Sequence, residues 1–282
     1  MNSFRKLAKN SIALSLMVWS LTLNPATVIF DMDGVLVTQS RFWQTYHIGF
    51  SKFFWMYDNP SALKGLKGKL FDFLDRVEPR KEETPKAFHE GKLLPQLMCD
   101  WQCGLISQDD ILKKIAEGFE AHKDFFSSSS QKDLYIALYE FMFTPKKMIK
   151  GMYPVKDAVK LAKKCAKSLD KEGNKNRVFI LTNWDSQSFE LMKKKHKSLR
   201  SLFKYCSGVV VSGDAGMMKP DPALYEYLCS THNVDPEKEI VAFIDDTPCN
   251  VQTAQDCGMH GIHCKDLNIK AVKKELHALG IV

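Results

Sequence analysis

The sequence predicts an α/β protein with a mainly parallel sheet, interrupted once by an α-helical insertion. Short runs rich in Val, Ile or Phe recur at 27–31 (TVIFD), 177–182 (RVFILT), 208–212 (GVVVS), 240–244 (IVAFI) and, more weakly, 261–264 (GIHC). Such near-continuous apolar runs fit strands covered on both faces. Helical patterns lie between them, at 155–169, 186–197, 222–232 and 250–257. Strands alternating with helices build parallel βαβ units, and several in succession give a Rossmann-like three-layer sandwich. Residues 39–149 break the alternation, with no convincing strand. At 282 residues the chain is long enough for one large domain or two medium ones.

Residues 1–26 come before the first strand. Arg5, Lys6 and Lys9 precede the apolar stretch SIALSLMVWSLTL, which runs into Asn24-Pro25-Ala26-Thr27. A basic start, a short apolar core and a small-residue boundary have the layout of a secretory signal peptide. The alternative is an apolar helix packed on the domain. The first reading exports the protein, to a periplasm for instance, and the second leaves it cytoplasmic. The run is too short for a stable membrane span.

The first strand and its turn (27–38) join 150–282 as the expected core, with 39–149 inserted between them. Within the insertion Phe42, Tyr46, Phe50, Phe53 and Tyr57 recur at steps of three and four, with Trp43 and Phe54 beside them. That spacing predicts one amphipathic helix, its stripe forming the core of a helical subdomain and one edge a candidate pocket lining. Gly65, Gly68 and the stretch from Pro79 to Pro85 divide further helices, which end near 145–154, and Ser127 to Ser130 reads as a loop tip. An insertion of this size directly after the first strand is expected to form a separate cap domain over the carboxyl edge of the sheet.

Composition narrows the partners. Hydrophobic residues make up 45% and charged residues 26%, which excludes a disordered chain. The net charge of +7 is spread along Lys-rich helices, short of a nucleic-acid footprint, so no nucleic-acid partner is expected. Lys163-Lys164 and Lys193-Lys194-Lys195 have acids nearby and read as solvated helix faces. The eight cysteines show no paired framework. Cys257, His260, His263 and Cys264 read as a tight turn and a buried strand, because structural zinc sites usually carry two separated ligand pairs. Cys99 and Cys103 fall one helical turn apart and read as buried thiols, with a disulfide open to them only in an exported protein.

The chemistry lies at the strand ends. The first run exits into Asp31-Met32-Asp33-Gly34, the second ends at Thr182 and Asn183, the third is followed by Lys219-Pro220-Asp221-Pro222, and the fourth ends in Asp245-Asp246. In a parallel sheet these groups converge on one crevice, at the carboxyl ends of the strands. Four carboxylates that close require a cation, since like charges a few ångströms apart are costly. Oxygen ligands with no histidine among them suit Mg2+ better than zinc. Lys219 adds a positive charge, while Thr182 and Asn183 offer a hydroxyl and an amide to phosphoryl oxygens. The set suits phosphoryl transfer, in which catalysis is mostly positioning and charge neutralisation.

DMDGV, LTN, KPDP and FIDD, in this order and at these strand ends, resemble the four motifs of the haloacid dehalogenase superfamily. The position of the insertion resembles its subfamily with a helical cap between the first and second motifs. The resemblance covers the chain after about residue 27, though the insertion matches only by place and helical character. It implies that Asp31 is a nucleophile forming an aspartyl-phosphate. It implies that Asp33 protonates the leaving oxygen and then activates water. Asp31, the backbone carbonyl of Asp33, Asp245 and Asp246 would hold magnesium, and Thr182, Asn183 and Lys219 would hold the phosphate. Members that cleave carbon–halogen bonds lack an acid at the position of Asp33, because a halide leaves without a proton. The expected activity is therefore a magnesium-dependent phosphatase acting on a small phosphorylated metabolite. A phosphomutase of the same fold, or a catalytically silent protein that binds partners through the cap, are the alternatives.

Overall fold

The structure, a computed structural model, describes residues 25–40, 46, 48–49, 65–89, 91–170 and 173–282. The signal-like segment up to residue 24, and nearly all of the aromatic stripe at 42–57, lie outside the described residues. Strand β1 (Thr27–Phe30) runs through a tight turn into β2 (Val37–Gln39). The inserted segment then supplies α1 (Leu66–Val77), β3 (Phe88–His89), β4 (Lys92–Leu93), α2 (Gln96–Gln102), α3 (Gln108–Ala121), α4 (Ser129–Phe143) and α5 (Pro145–Met148), and β5 (Met152–Pro154) follows. The rest of the chain gives α6 (Lys156–Lys167), β6 (Arg177–Thr182), α7 (Ser186–Lys195), α8 (Lys197–Phe203), β7 (Gly208–Val211), α9 (Ser212–Ala215), α10 (Pro222–His232), β8 (Val241–Asp245), α11 (Pro248–Asp256), β9 (His260–His263) and α12 (Ile269–Ala278).

The five main strands form one sheet in the order β7-β6-β1-β8-β9, and every neighbouring pair is parallel. Alternate strand residues point to opposite faces, and here they divide the core cleanly. Val28, Phe30, Val178, Ile180, Ala242 and Ile244 join Leu161, Ala162 and Leu276 from α6 and α12. Ile29, Phe179, Leu181, Val241 and Phe243 meet Leu224, Leu228 and Ala254 from α10 and α11 on the other face. Helices on both sides of a parallel sheet are the expected three-layer sandwich. The order places β1 in the centre, so the exits of β6, β1 and β8 stand side by side.

The insertion has its own apolar core, in which Phe73, Trp101, Phe119, Tyr135, Tyr139 and Phe143 are all buried. The Phe73 and Phe119 rings stack at 4.8 Å, and such pairs add about 0.5–1.5 kcal/mol beyond their buried area. The segment leaves and rejoins the sandwich through one antiparallel ribbon, with Val37 opposite Pro154 and Gln39 opposite Met152. It is seated on the sandwich a second time where Ser212 Oγ donates to the Gln102 carbonyl at 2.6 Å. Beside that bond Gly104, at φ 69°, lies so close to the Gly213 carbonyl that a side chain would overlap it. Among the described residues no helix is long and apolar enough to cross a membrane.

Several local expectations change. The insertion does contain strands, a two-residue hairpin in which Phe88 pairs with Leu93. Gly91, at φ 76°, lies in its turn. Strands that short carry no period-two pattern. The serines are not a loop tip: Ser128 caps α4 by accepting from the Gln131 amide at 3.2 Å, and Ser129 and Ser130 are in its first turn. Serine favours that position because its oxygen satisfies an otherwise unpaired helical N–H. Gly65 does stand at a helix start, but Gly68 is buried inside α1, where Lys92 covers it. The lysine run also divides. Lys193 and Lys194 pair with Glu190 on the helix surface, whereas Lys195 Nζ turns to the carbonyls of Ile149, Lys150 and Met152 at 2.6, 3.2 and 3.3 Å. It thereby holds the strand by which the insertion rejoins the sandwich.

Candidate active site

Three neighbouring strand exits build the site. Asp31 follows β1 and donates its backbone N–H to the Ile244 carbonyl at 2.9 Å, which extends the β1–β8 ladder by one bond. Asp245 ends β8, and Thr182 ends β6. All three are buried. Asp31, Asp245 and Asp246 each present a carboxylate oxygen, and these oxygens lie within 4.8 Å of one another. Among the described residues they are the one group of three or more metal-ligating side chains. A hard-oxygen set of this size fits a hard divalent cation such as magnesium.

Lys219 enters from the loop between α9 and α10 and is only 1% exposed. Its Nζ donates to Asp31 Oδ1 at 2.7 Å, to Asp245 Oδ2 at 2.6 Å and to the Leu181 carbonyl at 3.0 Å. An ammonium has three N–H donors, and all three are used. Burial alone would lower the Lys219 pKa, but Asp245 and Asp31 together raise it above the ordinary lysine value, so it stays charged. Burial pushes the Asp31 carboxyl up to about 7; Lys219 opposes this, while Asp245 and Asp246 add to it. Asp246 reaches solvent, yet partial burial and then the charges of Asp245 and Asp33 raise it to about 6. Two acids held this far above their usual range are sites short of positive charge.

The Asp33 turn is tightly wound. The backbone N–H groups of Leu36 and Val37 both reach the Met32 carbonyl, at 2.9 and 2.8 Å, and Gly34 N–H donates to the Val37 carbonyl at 2.9 Å. Asp33 itself is half-buried, and Gln39 Nε2 donates to its Oδ2 at 2.9 Å. Gly34 is required here twice over. Its φ of 77° is a left-handed conformation that side chains disfavour, and a Cβ would overlap the Asp246 carboxylate.

The phosphate-binding candidates behave differently from one another. Thr182 Oγ1 is buried and has no hydrogen-bond partner among the described residues. A buried hydroxyl left unpaired is costly, which keeps Thr182 a candidate donor to a bound group. Asn183 is paired with the Lys219 backbone. Its Nδ2 donates to the Lys219 carbonyl and its Oδ1 accepts from the Lys219 N–H, both at 2.8 Å. Asn250, absent from the sequence expectations, also belongs to the site. It is buried in the first turn of α11, and its Nδ2 donates to Asp245 Oδ1 and Oδ2 at 3.0 and 3.1 Å. With the Thr247 N–H at 2.8 Å on Oδ1, Asp245 is held from three directions. The only sequence signal for Asn250 is its place one helical turn past the paired acids.

The cysteine and histidine groups form no metal-ligating cluster among the described residues. His263 Nε2 bonds the Asp246 carbonyl at 2.9 Å and Cys264 is buried, while His260 is exposed. Cys99 and Cys103 are free thiols, both buried.

Comparison with known proteins agrees with this geometry. A family model described as haloacid dehalogenase-like hydrolase matches residues 25–258. One curated relative, the sesquiterpene phosphatase astK of Aspergillus oryzae, is 33% identical over 89 residues; the match spans 32% of this chain and 42% of that protein's length. Among solved structures, the HAD family enzyme bt-2542 of Bacteroides thetaiotaomicron superposes with a TM-score of 0.53 at 16% identity, covering 85% of this chain and 93% of that one. The same enzyme has been solved in complex with magnesium and inorganic phosphate, with a TM-score of 0.51 at 16% identity over 85% of this chain and 94% of that one. A HAD-like family hydrolase from Porphyromonas gingivalis gives 0.51 at 18% identity, over 89% and 98% of the two chains. These structural likenesses show the fold, and the family model covers most of the chain, the four strand-end motifs included. The chain belongs to the haloacid dehalogenase-like hydrolases.

Proposed function

We propose that the chain is a magnesium-dependent phosphatase that hydrolyses a small phosphorylated metabolite through a phosphoryl group carried on Asp31. The observation that carries this reading is the gathering of Asp31, Asp245 and Asp246 oxygens within 4.8 Å beside a buried lysine. The phosphatase activity of the Aspergillus relative and the magnesium and phosphate held by the Bacteroides enzyme support it.

Asp31, Asp245, Asp246 and the backbone carbonyl of Asp33 would hold the metal. When bound, magnesium neutralises the clustered carboxylates and polarises the phosphoryl oxygens. The chain's own groups do the rest. An Asp31 carboxylate oxygen attacks phosphorus, and the bond from phosphorus to the ester oxygen breaks. Asp33 gives its proton to that departing oxygen. Asp33, now a carboxylate held by Gln39, takes a proton from water as the water oxygen attacks phosphorus. The bond to Asp31 breaks, inorganic phosphate leaves, and both acids return to their starting states. The Thr182 hydroxyl donates to a phosphoryl oxygen, which gives it the partner it lacks. Lys219 favours the anionic form of Asp31 by direct contact and offsets the charge that gathers at phosphorus.

The insertion, 39–149, acts as a cap domain on the core formed by 27–38 and 150–282. Its own apolar core and its seat on Ser212 and Gly213 support that division. A capped crevice admits small esters and excludes folded proteins.

A panel of small phosphate esters, assayed with magnesium and after chelation by EDTA, tests the reading. The expected result is phosphate release on at least one ester that EDTA abolishes and added magnesium restores. Folded protein that releases no phosphate from any ester contradicts it.

A further inference from the structure

We infer that Asn183 is a positioning residue for Lys219: its amide clamps the lysine backbone and so sets where the buried ammonium lies between Asp31 and Asp245. This deepens the phosphatase reading and rests on it for its kinetic consequences.

The clamp is a closed pair of bonds. Asn183 Nδ2 donates to the Lys219 carbonyl and Oδ1 accepts from the Lys219 N–H, each at 2.8 Å. A side-chain amide thereby pairs with a backbone residue in the two-bond manner of one strand with its neighbour. The second Nδ2 N–H lies outside the pair, and the two bonds fix the plane of the amide against the Lys219 backbone.

The lysine is tied to one strand exit at both of its ends. Its backbone is held by the side chain of Asn183, and its Nζ by the carbonyl of Leu181, two residues earlier. The flanking residues hold the loop as well. Met218 is fully buried and packs in the apolar core of the insertion. On the other side, Thr253 Oγ1 donates to the Pro220 carbonyl at 3.1 Å. The 2.7 and 2.6 Å contacts of Nζ with the two aspartates leave little latitude. A shift of about 1 Å in a catalytic array can cost about 100-fold in rate, so the clamp has a chemical consequence at a distance from the reacting atoms.

The test compares wild type with Asn183→Ala and Asn183→Asp, alone and in a Lys219→Met background. Hydrogen–deuterium exchange of the 217–222 segment is followed alongside kcat and KM on an ester the wild type accepts. In the Lys219-containing protein, Asn183→Ala is expected to lower kcat about 100-fold with KM changed less than about threefold. It is also expected to speed exchange across 217–222. In the Lys219→Met background the same change is expected to cost less than about threefold more, because residues acting as one unit are not additive. Asn183→Asp keeps the acceptor for the Lys219 N–H and sets a carboxylate oxygen against the Lys219 carbonyl, which breaks the other half of the clamp; it stands in for alanine if that variant does not fold. Losses that multiply in the double variant overturn the inference, as does unchanged exchange in both Asn183 variants. A wild type that turns over no ester sinks the phosphatase reading by itself, and the exchange result still decides the clamp.

Discussion

Asp31→Asn is expected to lower kcat on any accepted ester by about 10,000-fold or more, because a carboxamide is too weak a nucleophile to form the acyl-phosphate bond. A general loss of fold is not expected to be the cause. In the metal-free protein the Asp31 carboxyl stands at about 7, against 3.8 for a free aspartate, and burial is the largest reason. A folded pKa above the unfolded one means that the unfolded chain releases the proton first. The Asp31 contribution to stability is thus fully present below pH 3.8 and is lost as pH rises to about 7. Asparagine carries no charge to bury. The variant should therefore match or exceed the thermal stability of wild type at pH 8 in EDTA, while losing activity. Lys219 keeps its bonds to Asp245 and Leu181 in that variant. Wild-type activity in the asparagine variant would remove Asp31 from the mechanism; its unfolding would mean that the buried anion is structural.

Lys219→Met is expected to damage both activity and fold. The ammonium is 1% exposed and bridges two buried carboxylates. Breaking a buried ion pair from one side leaves uncompensated charge, which costs about 3–5 kcal/mol. For a chain of this size that corresponds to a fall in Tm on the order of 10 °C. The loss should be smaller at low pH, where Asp31 takes up a proton, and smaller in the Asp31→Asn, Lys219→Met double variant. Differential scanning calorimetry in EDTA reads all three. A single variant as stable as wild type at pH 8 would mean that Asp31 and Asp245 do not need the lysine for their charges.

What could be read in advance follows a physical divide. The sheet was legible because VIF, VFIL, VVV and VAFI are continuous apolar runs, and such runs suit strands buried on both faces. The acids were legible because Asp31, Asp33, Asp245 and Asp246 stand directly where those runs end. Strand order is a tertiary property, so the placing of β1 between β6 and β8 had to come from the structure. The ribbon of β2 and β5 is three residues on each side, too short for any period. α12 is a different case: Asn268 caps it, and Ile269, Val272 and Leu276 fall on one face, so its signal was present in the sequence. Asn183 and Asn250 mark the limit. Each donates its side-chain hydrogen bonds to one neighbour, and residue type alone does not reveal that the Asn183 amide is bound to a backbone 36 positions away. Spacing reports which strand end a residue occupies and not which way its side chain turns.

A covalent step at Asp31 is tested most directly by catching the phosphoryl group on the protein. Wild type and Asp31→Asn would be mixed with an accepted ester carrying labelled phosphorus, quenched in acid within milliseconds, and digested for peptide mapping. The expected result is acid-stable, hydroxylamine-labile label on the peptide that contains Asp31 in wild type, and none in the asparagine variant. Inorganic phosphate produced in a single turnover with no label on that peptide at any quench time would contradict the aspartyl-phosphate.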